Sequence, residues 1–127
     1  MPNLASTITG FVKGDDLDIV RTVTNIPAGQ VLTEARLTVR SPDLSAIIFS
    51  KVITSSLVAG AGQISDTGAD GTGVLTFQLT GGTAGNTVNL TPSTLFPFDI
   101  QLKTDANKHY TPEVGTISAV AEVTLVD

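Results

Sequence analysis

The sequence predicts an all-β protein, a single β-sandwich domain of immunoglobulin-like or jelly-roll type with about seven to eight antiparallel strands. Three observations lead to this fold class. Apolar and polar residues alternate along several segments, β-branched Thr, Val and Ile are abundant, and turn residues separate the segments about every 8 to 12 residues. No segment has the pattern of an amphipathic helix, and the sequence predicts at most one helical turn, over 91–95.

Four segments show the clearest alternation. In 35–40, Ala35, Leu37 and Val39 alternate with polar residues, and a strand would place these apolar side chains on one buried face. The same alternation predicts three further strands, at 75–80, 96–103 and 117–125. The five Phe residues fall mostly on inward positions and are interpreted as core.

Three more segments predict strands from a weaker pattern. Residues 6–12 are rich in Thr and lead to a turn at Gly14, and 17–24 places apolar residues on one face. Residues 46–54 are apolar at successive positions, which is typical of a strand packed on both faces.

Glycine-rich segments interrupt this pattern. Residues 59–73 predict a long loop with a short pairing at 63–65, and 81–86 predict a second flexible stretch. Turns are expected at 27–29, 41–43 and 105–107, where Gly, Pro, Asn or Asp provide the backbone geometry.

The length and charge limit the possible functions. The 127 residues suit one domain spanning 1–127. The net charge is −5 and the seven Lys and Arg residues do not cluster, which argues against nucleic-acid binding. The absence of Cys fits folding in a reducing cytoplasm. No basic start, signal-peptide core or membrane-length apolar run is present, so we expect a soluble protein made in the cytoplasm, with no membrane partner.

The residue types that carry catalysis are sparse. His109 is the only histidine and lies in a polar hairpin, which indicates an exposed turn residue. Asp15, Asp16 and Asp18 form the densest carboxylate cluster, either a solvated turn or an acid–base or cation site, and the turn is the better interpretation.

One segment partly matches a calcium-binding loop. In 66–71, Asp66 and Asp70 have suitable side chains, but Gly68 replaces a ligand and no Glu follows. A strand rather than a helix follows the glycines, which argues against a phosphate loop. We therefore predict a non-enzymatic protein with no catalytic residue, no metal and no cofactor.

The N-terminal residues 1–10 form a possible arm. This apolar, Thr-rich segment either completes its own sheet or adds to the sheet edge of a neighbour through main-chain hydrogen bonds. If it binds a partner, the candidate residues are Leu4, Ala5, Ile8 and Phe11.

Several short motifs resemble a family of small β-sandwich proteins of tailed bacteriophages. The motif at 11–16 (Phe-Val-Lys-Gly-Asp-Asp) is followed by the strand at 35–40, which ends in Arg. In the second half, 98–102 (Phe-Asp-Ile-Gln-Leu) is similar to an aromatic-Asp-Ile-Gln strand, and 115–117 leads to Val-Thr at 123–124 as in the final strand of that family. The known relatives include the N-terminal domains of upper baseplate proteins.

The resemblance implies a virion protein, assembled in the host cytoplasm. No coiled coil or receptor-binding domain follows Asp127, so we expect a protein used whole, a capsid cement or decoration protein that binds and stabilises the assembled head. The implied partners are the major capsid protein or other virion proteins, and the implied assembly is a homo-oligomer, with a trimer as the commonest form.

Two alternatives remain open at this point. The first is a neck, tail or baseplate accessory protein. The second is a host-surface or carbohydrate-binding module that uses the loop at 60–73, although the scarcity of aromatic residues disfavours sugar stacking.

Overall fold

The computed structural model describes residues 4–81 and 85–121. These residues form eight strands and a 3-10 helix at Thr87–Asn89. The strands are β1 (Leu4–Ile8), β2 (Leu17–Val23), β3 (Leu32–Arg40), β4 (Ile47–Ile53), β5 (Gly62–Asp66), β6 (Gly73–Leu79), β7 (Phe96–Thr104) and β8 (His109–Ile117).

The strands form two sheets, a five-stranded sheet in the order β1-β8-β7-β3-β4 and a three-stranded sheet in the order β2-β6-β5. All pairs are antiparallel except β1 with β8, which is parallel. The three-stranded sheet corresponds to strands B, E and D of an immunoglobulin-type sandwich, and β8-β7-β3-β4 corresponds to G, F, C and C′. The all-β sandwich prediction is therefore confirmed, and the strand order is of the immunoglobulin type.

The core lies between the inner faces of the two sheets. Alternate residues of β6 and β3 are buried, because successive side chains of a strand point to opposite faces. All five Phe side chains are buried, as the sequence predicted: Phe11, Phe49, Phe77, Phe96 and Phe98. Complete burial of an aliphatic or Phe side chain contributes about 1.5–3 kcal/mol, so the buried core as a whole supplies most of the driving force for folding.

Three of the four strands predicted from the clearest alternation were located correctly. The segments at 35–40, 75–80 and 96–103 correspond to β3, β6 and β7, and 17–24, predicted from a weaker pattern, corresponds to β2. The short pairing expected at 63–65 is the centre of β5, so the loop predicted over 59–73 is shorter than expected.

The prediction at the C-terminal end was wrong. The last described strand is His109–Ile117, whereas the sequence predicted a strand beginning at Ile117. Alternation failed to reveal this strand because its inward positions include Glu113 and Gly115 instead of large apolar residues. After Ile117 the described chain leaves the sheet and forms an isolated bridge at Val120, and residues 122–125 of the predicted strand lie outside the described ranges.

The prediction of two-sided packing for 46–54 was also wrong. This segment forms β4, which lies at an edge of the five-stranded sheet. Its outward side chains Ile47 and Val52 are 54% and 38% exposed, because nothing described here covers that face. Apolar residues on both faces therefore mark an exposed apolar surface rather than a second buried one.

Three smaller differences concern turns. The strand expected at 6–12 ends at Ile8, because Gly10 adopts φ +86° and turns the chain toward the other sheet. Residues 91–94 form a tight turn with Ser93 at φ +62° instead of the helical turn expected at 91–95, and a 3-10 helix lies just before it at Thr87–Asn89. The flexible stretch predicted at 81–86 lies partly outside the described residues, which omit 82–84.

Candidate interaction surface

The side of the five-stranded sheet that faces away from the core carries exposed apolar side chains. We call this surface the outer face; it comprises the outward side chains of β3, β4, β7 and β8 and the turn joining β3 to β4. Ile47 lies opposite Arg40 and Val52 opposite Arg36, so both point outward. The exposed large apolar residues of the outer face are Leu44, Ile47, Val52 and Val114.

A shallow cleft lies on the outer face, at the end nearest the turn that joins β3 to β4. Its volume is about 180 Å³, which matches the size of a side chain rather than that of a larger ligand. The lining combines apolar groups with one basic and one acidic side chain: Thr38, Arg40, Leu44, Pro97, Phe98, Asp99 and Val114. The cleft can therefore receive an apolar or polar side chain of a partner.

The turn at 41–46 holds Leu44 beside the cleft. The Asp43 carboxylate Oδ1 accepts hydrogen bonds from Ser41 Oγ at 2.7 Å, from Ser45 Oγ at 2.7 Å and from Ser45 N at 3.0 Å. These hydrogen bonds favour the ionised form and lower the pKa of Asp43 to about 2. Leu44 itself adopts φ +66°, a left-handed conformation that is unusual for Leu. The turn thus presents an exposed apolar side chain from a backbone held in the left-handed region.

Asp99 is the acidic group of the cleft. Its half-buried position on β7 raises its pKa, because burial penalises the charged carboxylate. The positive charge of Arg40 acts in the opposite direction and is the smaller effect. A partner that covers the cleft would increase the burial of Asp99, so a donor group on the partner would favour docking.

Charged residues of both signs lie on the outer face. Arg36, Arg40 and Lys103 are its basic residues, and Glu34, Asp43 and Asp99 are its acidic ones. The charges of the face therefore balance, in a chain whose net charge is −5. Its mixture of apolar side chains with charges of both signs suits a partner surface that is apolar with charged groups at its rim.

A second polar cluster joins the two sheets at the β1 end. Arg21 of β2 donates from Nε to Glu113 Oε1 at 2.6 Å and from Nη2 to Oε2 at 3.0 Å. Ser6 Oγ of β1 donates to Glu113 Oε2 at 2.6 Å. Glu113 is only 3% exposed and both of its oxygens accept hydrogen bonds. The cluster therefore acts as a structural connection between β1, β8 and β2.

The residues considered as catalytic or cation-binding candidates lie in turns and near the starts of strands. His109 is exposed at the start of β8, in the hairpin after β7. The Asp16 carboxylate accepts from Gly81 N at 2.6 Å, and the Asp15 carbonyl accepts from Thr87 Oγ1 at 2.6 Å, so this turn is attached to the segment after β6. Asp18 is exposed on β2.

The segment that partly matches a calcium loop forms two local turns. Asp66 Oδ1 accepts from Gly68 N at 2.9 Å, and Asp70 Oδ1 accepts from Thr72 N at 3.2 Å. Across residues 4–81 and 85–121, no three or more His, Cys, Asp or Glu side chains are grouped so as to hold a metal ion. In the same ranges, no helix has the length and apolar character needed to cross a membrane.

The candidate partner-binding residues of the arm lie in or beside β1. The backbones of Leu4 and Ala5 pair with Glu113 and Val114 of the same chain, so residues 4–8 form an intramolecular strand. Ile8 is half-buried against the core, and Phe11 is buried within it at 8% exposure. The side chain of Phe11 thus packs in the core and offers little surface to a partner. A partner-binding role for the rest of the arm stays a prediction.

Sequence reasoning missed the outer face as a surface. The apolar residues of 46–54 predicted a strand buried on both faces, and Leu44 lies just after the turn predicted at 41–43, where nothing in the sequence marks it. A run of apolar residues next to a turn signal was the available clue. Comparison of the chain with protein-family models and with curated proteins found no match.

Proposed function

We propose that this protein is a non-enzymatic structural protein of a tailed-phage virion, a capsid cement or decoration protein that binds and stabilises the assembled head. The observation that supports this proposal is the outer face, on which Leu44, Ile47, Val52 and Val114 are exposed and two of them, Leu44 and Val114, line a cleft. Several exposed apolar side chains on one face, with polar neighbours, are typical of protein-binding surfaces.

The chemistry of the outer face suits attachment to a regular protein shell. Each of the four apolar residues is already partly buried, so each contributes only part of the roughly 1.5–3 kcal/mol of full burial. One copy would therefore bind with modest affinity. On a particle, many equivalent sites and contacts between neighbouring copies increase the overall strength of attachment.

The proposed partner is the major capsid protein, in the virion assembled in the host cytoplasm. Arg36 and Arg40 on the outer face can pair with acidic groups of that partner, and the net charge of −5 disfavours contact with packaged DNA. The cleft beside Leu44 would receive one side chain from that partner as an anchor.

The test is reattachment of purified protein to phage heads prepared without it. Wild-type protein should sediment with the heads in hundreds of copies. The double variant Leu44→Asp, Val52→Asp should lose at least about tenfold in apparent affinity, since two apolar contacts would be replaced by carboxylates that lose water on docking. Val20→Asp is the matched control, because Val20 is 55% exposed on the other sheet.

Two results would contradict the proposal. Equal loss of attachment in the Val20→Asp control would show that the outer face is not the attachment surface. A few copies per particle, instead of hundreds, would favour a neck, tail or baseplate accessory protein.

A further inference from the structure

The four edge strands of the two sheets differ in how they are protected. Edge strands commonly avoid pairing with other chains by means of charged residues, inward-pointing ones included. Among the described strands, β2 contains Arg21, β4 contains Lys51 and β5 ends at Asp66. The fourth edge, β1, reads Leu-Ala-Ser-Thr-Ile and has neither a charge nor a proline.

The main chain of β1 has one free side. Ser118 N donates to the Ile8 carbonyl at 2.9 Å. The Ser6 carbonyl lies so close to Gly115 that a Cβ at that position would collide with it. Residues 6 and 8 therefore direct their main-chain groups toward β8. Because successive residues of a strand alternate in this respect, Ala5 and Thr7 direct theirs away from β8. In the part of the chain that the structure describes, β1 pairs with β8 alone.

We propose that β1 of a second copy pairs with this edge in an antiparallel arrangement, with a two-fold axis at Ser6. This register places Ala5 opposite Thr7 of the second copy, and the reverse. Each such pair exchanges two N–H···O=C hydrogen bonds, so the interface contains four. The two five-stranded sheets then form one continuous sheet of ten strands. The inference concerns self-association and goes beyond the proposed attachment to a capsid.

The sequence of β1 favours a second copy over an unrelated strand. Leu-Ala-Ser-Thr-Ile has a similar character read from either end, with aliphatic residues at 4 and 8 and small residues between them. A two-fold arrangement, in which the same surface is used twice, therefore sets like positions opposite each other without any like-charge contact. The pairing is short, so we expect a dimer that forms at high protein concentration and on crowded surfaces.

The first test uses substitutions at Thr7, measured by sedimentation equilibrium between about 1 µM and about 1 mM. Wild-type protein should shift from the 13.1 kDa monomer toward twice that mass. Thr7→Pro removes an N–H that points away from β8, so the dimer should weaken at least about tenfold while the thermal melt stays cooperative. The control Thr7→Val keeps the N–H and should associate like the wild type.

Several outcomes of that test would overturn the proposal. These are a wild-type protein that stays monomeric throughout, dimerisation that is equal in Thr7→Pro and wild type, and a trimer that Thr7→Pro does not affect.

The second test uses single cysteines, since the chain has none of its own. At the two-fold axis, Ser6 faces its counterpart as a non-hydrogen-bonded pair, whose Cα separation of about 4.5 Å permits a disulfide. Ser6→Cys should give disulfide-linked dimers on mild oxidation. Ser50→Cys, on the edge strand β4, is the matched control and should stay monomeric. Equal or greater cross-linking in the control would contradict the proposed register.

Discussion

Each lateral side of the sandwich has one charged side chain that points inward between the sheets. The two side chains differ in their burial and in their hydrogen-bond partners. At the β1 and β2 side, Glu113 is buried and accepts hydrogen bonds from Arg21 and Ser6. At the β4 and β5 side, Lys51 is half-buried and its Nζ donates to the Gly60 carbonyl at 2.6 Å. Burial lowers the pKa of Lys51.

The comparison shows that an inward-pointing charge can have two roles: it can stabilise the fold, or it can prevent pairing with other chains. A fully buried ion depends on its partners, and removal of one partner from a buried pair costs about 3–5 kcal/mol. An amine near the surface keeps contact with water and costs little, while its charge still discourages strand pairing at the edge. The β1 side is therefore fixed by the buried cluster within the molecule, and the β4 side is protected against other molecules.

The largest expected effect is the loss of Glu113. Glu113→Ala leaves the partly exposed Arg21 guanidinium and the Ser6 hydroxyl without their acceptor, so we expect a fall of about 3 kcal/mol in the free energy of unfolding. Urea denaturation measures this change. Glu34→Ala, on the outer face, is the control and should change the free energy by less than about 0.5 kcal/mol. Equal effects of the two substitutions on the free energy of unfolding would show that the β1 side does not depend on the buried Glu113 cluster.

The next effect concerns the close approach of β1 to β8. Gly115→Ala would bring a Cβ against the Ser6 carbonyl, so β1 must shift or leave the sheet. We expect a loss of about 1–3 kcal/mol, with faster amide exchange confined to β1 and its neighbours. Hydrogen exchange followed by NMR measures it, with Thr116→Ala as the control. Unchanged exchange rates in β1 would show that its position does not depend on this contact.

The third prediction tests the protective role of Lys51. Lys51→Met removes the inward charge from edge strand β4, so aggregation on heating should be faster although the free energy of unfolding changes by less than about 1 kcal/mol. Light scattering and urea denaturation measure the two quantities. Lys103→Met, on the central strand β7, is the matched control and should aggregate at the wild-type rate. Faster aggregation of the control would instead point to a general effect of lost charge.

The smallest expected effect lies on the outer face, away from both sides. The raised pKa of Asp99 means that the folded state holds its proton more tightly than the unfolded state, so this group favours folding below its usual pKa of 3.8 and loses that contribution as pH rises. Asp99→Asn should therefore be more stable than wild type at pH 7, by about 0.5 kcal/mol or less because the group is partly exposed. The gap should close by pH 3. Urea denaturation at pH 7 and at pH 3 measures the difference in the free energy of unfolding. A difference that is larger at pH 3 than at pH 7 would contradict the predicted direction.

Much of the fold could be predicted because one face of most strands is buried. In β3, β6 and β7 the inward residues are large and apolar and the outward ones mostly polar, so alternation located them. β8 was hidden because Glu113 is satisfied by partners distant in sequence and Gly115 by the approach of β1. Neither the hydrogen bonds of Glu113 nor the close approach of β1 to Gly115 can be recognised from the neighbouring residues in the sequence.

The candidate surface could be predicted less well than the fold. Composition revealed that 46–54 is apolar on both sides, but which side the second sheet covers depends on the pairing of β4 with β3. The position of Leu44 depends on the turn that Asp43 stabilises and on a positive φ that is rare for Leu. The unprotected edge of β1 became visible only once the strand order was known.

Electron microscopy of particles that contain this protein tests the proposed capsid role most directly. We predict density for this domain at regular positions over the whole head, with the outer face of the five-stranded sheet, including Leu44 and Val52, against the capsid shell. Density confined to the neck, tail or baseplate, or domains on the head whose outer face is directed toward solvent, would contradict the account.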